Sequence, residues 1–261
     1  MRRTIISRFH QVVNTYYTNE KISLPKDYSD QVEKHWQELQ QEGNDFFRGD
    51  VYTISKIEET NERLDIFVSK TDYAHFLYTI HREKFVEPDC RVIHTSVLIE
   101  TVDGKFVIGE MNLGTVAPGK LQFIGGGIDK NDIKNNVFDL RHNIEKEINE
   151  EIGIDVEDKT LVKELKHYVL KSGGKDNFLS AIFKISLLIN EDELDKILFQ
   201  HNEKLIGKGE NPEIKSLICL NKNRDDIEEF VKDNSREKDE NLNDTLMAAI
   251  GIIPIEDYIL Q

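Results

Sequence analysis

The sequence has few cysteines and no long apolar run. Its two cysteines, Cys90 and Cys219, are too few for a disulfide framework or a four-thiolate zinc site, and we interpret both as reduced thiols. No run approaches the roughly 20 apolar residues of a membrane helix. The basic N-terminus is not followed by the apolar core of a signal peptide. We therefore expect a cytoplasmic protein that does not enter a membrane.

The chain also contains fewer basic than acidic residues. The 261 residues include 34 Lys and Arg against 49 Asp and Glu, which gives a formal net charge of −15. Proteins bind polymeric nucleic acids and anionic lipid surfaces mainly through Lys and Arg, so this balance disfavours both partners. An acidic protein that acts on phosphates needs a metal ion as an intermediary.

The apolar content is sufficient for a packed core. Hydrophobic residues make up 38% of the chain, which excludes a disordered protein. The length suits one large domain or two small ones. Pro88 marks a soft boundary between an N-terminal accessory region, residues 1–88, and a domain with a C-terminal helical extension, residues 89–261. The charge-rich residues 222–244 are predicted to form a solvated helix face and a loop.

Strand patterns outnumber helix patterns in the second region. Residues 92–101 form an apolar run typical of a buried strand, and Asp103-Gly104 predicts a hairpin turn into residues 105–109. A helix is predicted at residues 143–152. Further strands are predicted at residues 121–124, 161–170, 177–189 and 216–220. The pattern indicates a mixed α/β (α+β) protein rather than repeated βαβ units.

Three glutamates are predicted to share one face of this helix, which Gly153 ends. At about 100° per residue, Glu147, Glu150 and Glu151 are neighbours. Like charges at these spacings repel each other, and the helix dipole disfavours anions in the last turn. Mg²⁺ or Mn²⁺, which prefer oxygen ligands, would offset both penalties. Taken alone, the helix is explained equally well by an ordinary solvated acidic face.

Three consecutive glycines precede the helix. Gly125-Gly126-Gly127 follows a short predicted strand and lets the backbone approach a ligand closely or adopt a positive φ. Glycine loops followed by helices recur at phosphate sites, although a plain tight turn explains the glycines alone. The glycine segment and the acidic helix in this order form a more specific combination. We therefore take Gly125, Gly126 and Gly127 as candidate substrate-binding residues.

This combination resembles the Nudix box, G-x5-E-x7-R-E-U-x-E-E-x-G-U, where U is a bulky apolar residue. Residues 146–154 match its second half, with Lys146 in place of arginine. If Gly126 is the box glycine, Asp132 stands at the first acidic position. Thirteen residues then separate Asp132 from Lys146 instead of seven, so the loop before the helix is longer than in the pattern.

The resemblance implies a Nudix fold, which is a mixed β-sheet sandwiched between helices, here with an additional N-terminal α/β region. It also implies a pyrophosphohydrolase that cleaves a diphosphate linkage in a small substrate with Mg²⁺ or Mn²⁺. Glu147, Glu150 and Glu151 match the metal-binding and catalytic glutamates. Lys146 would orient a helix glutamate, but lysine lacks the bidentate fork of arginine.

In many members of the family a later loop supplies the general base. Glu210 and Glu213 precede the predicted strand at residues 216–220, and we select Glu213 as the catalytic candidate. An exposed surface glutamate is the simpler explanation of either residue. Histidines at three positions in this region are expected to be structural or exposed: His94, His142 and His167.

A second resemblance involves Thr71-Asp72-Tyr73 with Phe76-Leu77 and Thr79, which looks like the N-terminal region of UDP-sugar pyrophosphatase-like Nudix proteins. It suggests a nucleoside-diphosphate-linked substrate such as a nucleotide sugar. The aromatic residues of this stretch are more simply explained as core residues. The N-terminal region is expected to cover the substrate cleft or to mediate a homodimer. Two further hypotheses stay open: a Nudix-fold domain that binds a nucleotide without cleaving it, and an acidic interaction protein.

Overall fold

The computed structural model describes residues 2–10, 12–44, 46–82, 85–115 and 117–259. Residues 1 and 261, the outer limits of the two predicted regions, lie outside the described residues. The described strands are β1 (Arg2–Arg8), β2 (Val12–Lys21), β3 (Asp50–Glu59), β4 (Arg63–Asp72), β5 (Ile93–Glu100), β6 (Lys105–Met111), β7 (Leu121–Gln122), β8 (Ile133–Lys134), β9 (Val137–Phe138), β10 (Val162–Gly174), β11 (Leu179–Leu187) and β12 (Ile214–Asn221). The described α-helices are α1 (Lys26–Gln41), α2 (Tyr73–Ile80), α3 (Leu140–Ile152), α4 (Glu191–Gly207), α5 (Arg224–Lys232) and α6 (Glu240–Ala249).

The larger sheet is mixed and is covered on both faces. Its strand order is β1-β10-β11-β5-β6-β12, with β7 paired to β6, and only β11 and β5 run parallel within that path. Successive residues of β5 alternate between two cores: Val97 and Ile99 pack with α3, whereas Leu98 packs with α5 and α6. Burial on both faces explains the unbroken apolar run of this strand. The α+β fold class and the mixed sheet between helices are confirmed.

Helix α3 is set by a cap at each end. The Asp139 side chain accepts a hydrogen bond from the His142 N–H, so the helix begins three residues earlier than predicted. It ends as predicted before Gly153, which adopts φ +74°. Its apolar stripe of Ile144, Ile148 and Ile152 is fully buried against the larger sheet. The glutamates lie on the neighbouring face of the helix.

A second sheet joins the N-terminal region to the segment before α3. Its order is β3-β4-β2-β9-β8. The last two strands are a hairpin whose turn residues, Asn135 and Asn136, have φ of 54° and 63°, as a tight primed turn requires. The extra residues that lengthen the Nudix-like loop thus form this hairpin, and β9 pairs with β2. The longer spacing is an ordered element rather than a loose loop.

Strands are exchanged between the two predicted regions. Strand β1 pairs with β10 in the larger sheet, and β9 pairs with β2 in the smaller one. Helices α1 and α2 pack together through a separate cluster that includes Val32, Trp36 and Leu77. The boundary at residue 88 stays a prediction. No helix in the described ranges is long and apolar enough to cross a membrane.

The C-terminal helix begins within the charge-rich residues 222–244. Helix α6 begins at Glu240, because Asp239 caps it by accepting a hydrogen bond from the Asn241 N–H. It ends at Ala249, before Gly251 with its φ of +77°. Part of the charge-rich stretch is therefore buried structure, since Leu242 packs into the core between α5, α6 and the larger sheet.

Candidate active site

The glycine segment lies in close contact with β5 on one side and α3 on the other. The Thr95 N–H donates to the Gly126 carbonyl at 2.9 Å, so the segment runs alongside β5. Gly125 has φ +148°, and a Cβ there would lie 2.2 Å from the Thr95 carbonyl oxygen. A Cβ on Gly126 would lie 2.7 Å from the Glu147 carboxylate. Close approach to backbone at a positive φ therefore requires glycine at position 125, whereas a side chain at position 126 would have to displace the Glu147 carboxylate.

Two of the three helix glutamates are withdrawn from solvent beside this segment. Glu151 is only 4% exposed, and its Oε2 accepts a hydrogen bond of 3.3 Å from the Gly125 N–H. Glu147 accepts a 3.4 Å hydrogen bond from the Asn143 side-chain amide. Burial raises the pKa of Glu147 to about 7, although the Lys146 ammonium acts to lower it. Burial also raises the pKa of Glu151 well above its ordinary value, and neighbouring carboxylates raise it further.

The other acidic candidates lie at the solvent side of this pair. Glu150 is exposed on α3, and its charge raises the pKa of both buried glutamates. Glu213 is exposed just before β12, and its charge also raises both pKa values, so the fold brings it close to residues more than 60 positions earlier in the chain. Glu210 is exposed in the turn that follows α4.

Lys146 is held mainly by the loop rather than by the helix. Its Nζ lies 2.8 Å from Asp129, 3.4 Å from Asp132 and 3.5 Å from Glu147. Asp132 is fully buried and accepts hydrogen bonds from the Asp129 N–H and the Asn143 amide. Lys146 and Asp132 therefore fasten the loop to the helix, and the Glu147 carboxylate is the most distant of the three partners of Lys146.

Asn143 connects these parts and was missed by the sequence reasoning. Its Nδ2 lies within hydrogen-bond distance of the Gly127 carbonyl at 3.1 Å and of Asp132 at 3.0 Å, and its Oδ1 accepts from the Thr95 hydroxyl at 2.5 Å. The side chain is fully buried. A signal was available, because Asn143 precedes Glu147 by one helical turn and is the polar residue next to the apolar stripe.

The donor set suits a hard divalent cation by its chemistry. Glu147 and Glu151 supply carboxylate oxygens, which Mg²⁺ and Mn²⁺ prefer. Burial is the main cause of their raised pKa values, and neighbouring carboxylates add to it. Among the residues that the structure describes, no three His, Cys, Asp or Glu side chains converge closely enough to form a metal site. Glu150, the third predicted ligand, lies on the same helix and is exposed.

Two of the three histidines considered are perturbed by burial. Burial lowers the pKa of His94 to about 4 and also lowers the pKa of His167. His167 stacks on Phe9 with ring centroids 4.2 Å apart, as a structural residue does. His142 is exposed at the start of α3.

Comparisons with known proteins give similarities of structure at low identity. No family model matches the chain, and no curated protein matches it. The chain is similar to DR0079 from Deinococcus radiodurans, with 9% identity, a TM-score of 0.40, and coverage of 77% of this chain and 99% of that one. It is similar to a Nudix hydrolase from Nitrosomonas europaea, with 12% identity, a TM-score of 0.35, and coverage of 64% and 98%. It is also similar to a Nudix-family hydrolase from Clostridium perfringens, with 15% identity, a TM-score of 0.34, and coverage of 61% and 96%.

Proposed function

We propose that this protein is a Nudix-type pyrophosphohydrolase that cleaves a diphosphate linkage in a small nucleoside-diphosphate-linked substrate, a nucleotide sugar being one candidate. The observation that carries the proposal is the burial of Glu147 and Glu151 against the glycine segment. Carboxyl groups that are withdrawn from water beside other carboxylates lower the stability of the fold, and a bound cation would offset this cost. Such groups are found preferentially at functional sites. We also propose that the protein acts in the cytoplasm. In keeping with its net charge of −15, we propose that it binds neither polymeric nucleic acid nor membrane.

Each residue has a definite part in this proposal. Glu147, Glu150 and Glu151 would hold Mg²⁺ or Mn²⁺, which when bound supplies positive charge to the phosphoryl oxygens and activates a water. Glu213, exposed beside the pair, accepts the proton of the attacking water as general base. Lys146 keeps the loop carboxylates Asp129 and Asp132 against the helix.

A second candidate is a domain of the same fold that binds a nucleotide without cleaving it. The position of Lys146 favours this alternative, because its shortest contact is with Asp129 rather than with Glu147. A lysine so engaged orients the helix glutamate less firmly than a bidentate arginine would. The two candidates differ in turnover, which the following experiment measures.

The test is release of phosphate-bearing products from a panel of nucleotide sugars and dinucleotides with Mg²⁺ or Mn²⁺. We expect metal-dependent turnover by the wild-type protein and a loss of about a hundredfold or more in Glu151→Gln, because metal assistance is worth several kcal/mol. Glu145→Gln is the matched control: Glu145 lies on the same helix and pairs with Arg141 at 2.7 Å. Equal rates in the two variants would refute the site. Tight nucleotide binding without turnover would favour the second candidate.

A further inference from the structure

A cavity of about 420 Å³ lies where the N-terminal region meets the larger sheet. We call it the junction cavity. Its size falls within the range of small-molecule sites, roughly 300–1,000 Å³. Tyr73 and Phe76 of α2 line it from the N-terminal region, and His94 and Phe178 line it from the larger sheet and the loop before β11. Both parts of the chain are therefore needed to form its wall.

Three aromatic rings in this wall are nearly parallel. Tyr73 and Phe76 have ring centroids 5.6 Å apart with an interplanar angle of 25°, and Phe76 and Phe178 are 5.9 Å apart at 20°. All three side chains are only half-buried. Leu77, by contrast, is buried in the cluster between α1 and α2, against which Tyr73 and Phe76 also pack in part. These partly exposed rings give the cavity an aromatic lining, which suits a planar aromatic group.

His94 and Asn241 add polar groups to the wall. The His94 Nε2 lies 2.9 Å from the Asn241 side-chain amide and 2.8 Å from the Ser180 hydroxyl. The Ser180 hydroxyl is in turn 2.9 Å from the Asn241 amide, so the three side chains form one hydrogen-bonded group. A ligand with ring nitrogens or carbonyl oxygens on its edge suits this part of the wall.

The charged residues of the lining are all acidic. Asp50 and Asp239 line the junction cavity, and no Lys or Arg is among the described residues that do so. Asp50 pairs with Lys70 at 2.6 Å, outside the lining. An anionic group would meet carboxylates without a cationic partner in the wall, which disfavours its entry. The cavity therefore suits an uncharged group.

The junction cavity adjoins the candidate active site through the glycine segment. Gly125 and Gly126 line the cavity, and these residues also contact the two buried glutamates. A ligand that fills the cavity would thus continue towards Glu147 and Glu151. The uncharged part of a substrate and its diphosphate would lie on adjoining sides of one short backbone segment.

We propose that the junction cavity binds the nucleobase of the substrate on the ring wall of Tyr73, Phe76 and Phe178, with the polar edge of the base at His94 and Asn241. This inference rests on the proposed function, which assigns the diphosphate of the same substrate to the glutamates of α3. It assigns the N-terminal region to substrate recognition, since α2 supplies two of the three rings. A sugar group is the competing occupant, and it lacks the flat aromatic faces that would stack on such a wall.

The test measures binding of adenosine, uridine and methyl glucoside to the full-length protein by saturation-transfer NMR titration without metal ions. We expect a nucleoside to bind and the glucoside not to bind. Phe178→Leu keeps apolar volume but removes the ring, and should weaken nucleoside binding about five- to a hundredfold, the range of one base–aromatic stack. Phe67→Leu is the control, because Phe67 is half-buried and stacks on Tyr16 at 5.3 Å, outside the cavity.

Several results would overturn the assignment: binding of neither nucleoside, glucoside binding that Phe178→Leu abolishes, or equal nucleoside affinity in the two leucine variants. Failure of the proposed function gives a different result. In that case the nucleoside still binds and depends on Phe178, while no diphosphate in the hydrolysis panel is cleaved. Cleavage of a nucleotide with a KM that Phe178→Leu leaves unchanged would leave the proposed function intact and refute the base site.

Discussion

Two glutamates on α3 bind protons more readily than ordinary glutamates do. Burial raises the pKa of Glu147 to about 7 and that of Glu151 well above its ordinary value. In the unfolded chain both groups lose their protons near the ordinary pKa. Between that pH and the raised pKa, the folded state therefore holds more protons than the unfolded state. Stability then falls as the pH rises through this window.

This linkage predicts a pH-dependent stability of the metal-free protein. Raising the pH from about 5 to about 8 should lower the free energy of unfolding, by the order of 1–3 kcal/mol from Glu147. Glu147→Gln should flatten this part of the profile, whereas Glu145→Gln should not. Urea denaturation across the pH series measures both. A wild-type profile that rises from pH 5 to 8, with no difference between the variants, would contradict the raised pKa.

The two tightly packed glycines should respond differently to alanine. Gly125→Ala would place a Cβ against the Thr95 backbone at a positive φ, so we expect a loss of about 1–3 kcal/mol or more in stability. Gly126→Ala meets only the Glu147 carboxylate, which can move. We expect it to keep most of the stability and to lose turnover. Thermal unfolding and the hydrolysis assay measure the two effects.

Gly127→Ala is the control for stability, because a Cβ there would meet nothing within 4 Å. Its unfolding temperature should stay near that of the wild type. An equal loss of stability in all three alanine variants would show that the close contacts of Gly125 do not determine the packing of this segment.

At the scale of elements, the β8–β9 hairpin explains the lengthened loop before α3. Its turn places Asn135 and Asn136 at positive φ, where glycine is more favourable than asparagine. Asn136→Gly should therefore leave stability unchanged or raise it by up to about 1 kcal/mol, while Asn136→Ala should lower it. Thermal unfolding compares the variants. Greater stability in the alanine variant than in the glycine variant would contradict the turn.

The elements with strong local patterns could be predicted from the sequence. The apolar run of β5 and the glycine stop of α3 each fix an element within a few residues, and both are where the sequence predicted them. The β8–β9 hairpin was not predicted, because two strands of two residues each carry almost no periodicity. Its partner β2 lies more than 100 positions away, which no local pattern reveals.

The candidate site was likewise predicted only where its residues are close in sequence. The glutamates of α3 and the glycine segment were predicted, because their chemistry is carried by residues close in sequence. The ring wall was not predicted, since it joins Phe76 to Phe178 across two regions. Asn143 was missed because its role depends on contacts with Thr95 and Asp132 that only the fold creates.

At the scale of the whole molecule, strand exchange ties the two predicted regions together. Strands β1 and β9 each pair with strands of the other region, so neither sheet is complete within its own region. We therefore expect one cooperative unfolding transition. The single tryptophan, Trp36, lies buried in the N-terminal region, so its fluorescence reports on that part while circular dichroism reports on the whole chain. Two separate midpoints would contradict this coupling.

We propose that the glutamates of α3 form a divalent cation site. Calorimetric titration of Mn²⁺ into the full-length protein near neutral pH tests it most directly, since the raised pKa values also predict that protons are released as the ion binds. We expect saturable binding that Glu151→Gln weakens at least about tenfold, the cost of roughly 1.4 kcal/mol, and that Glu145→Gln leaves unchanged. The absence of saturable Mn²⁺ binding, or equal affinity in the two variants, would contradict the account.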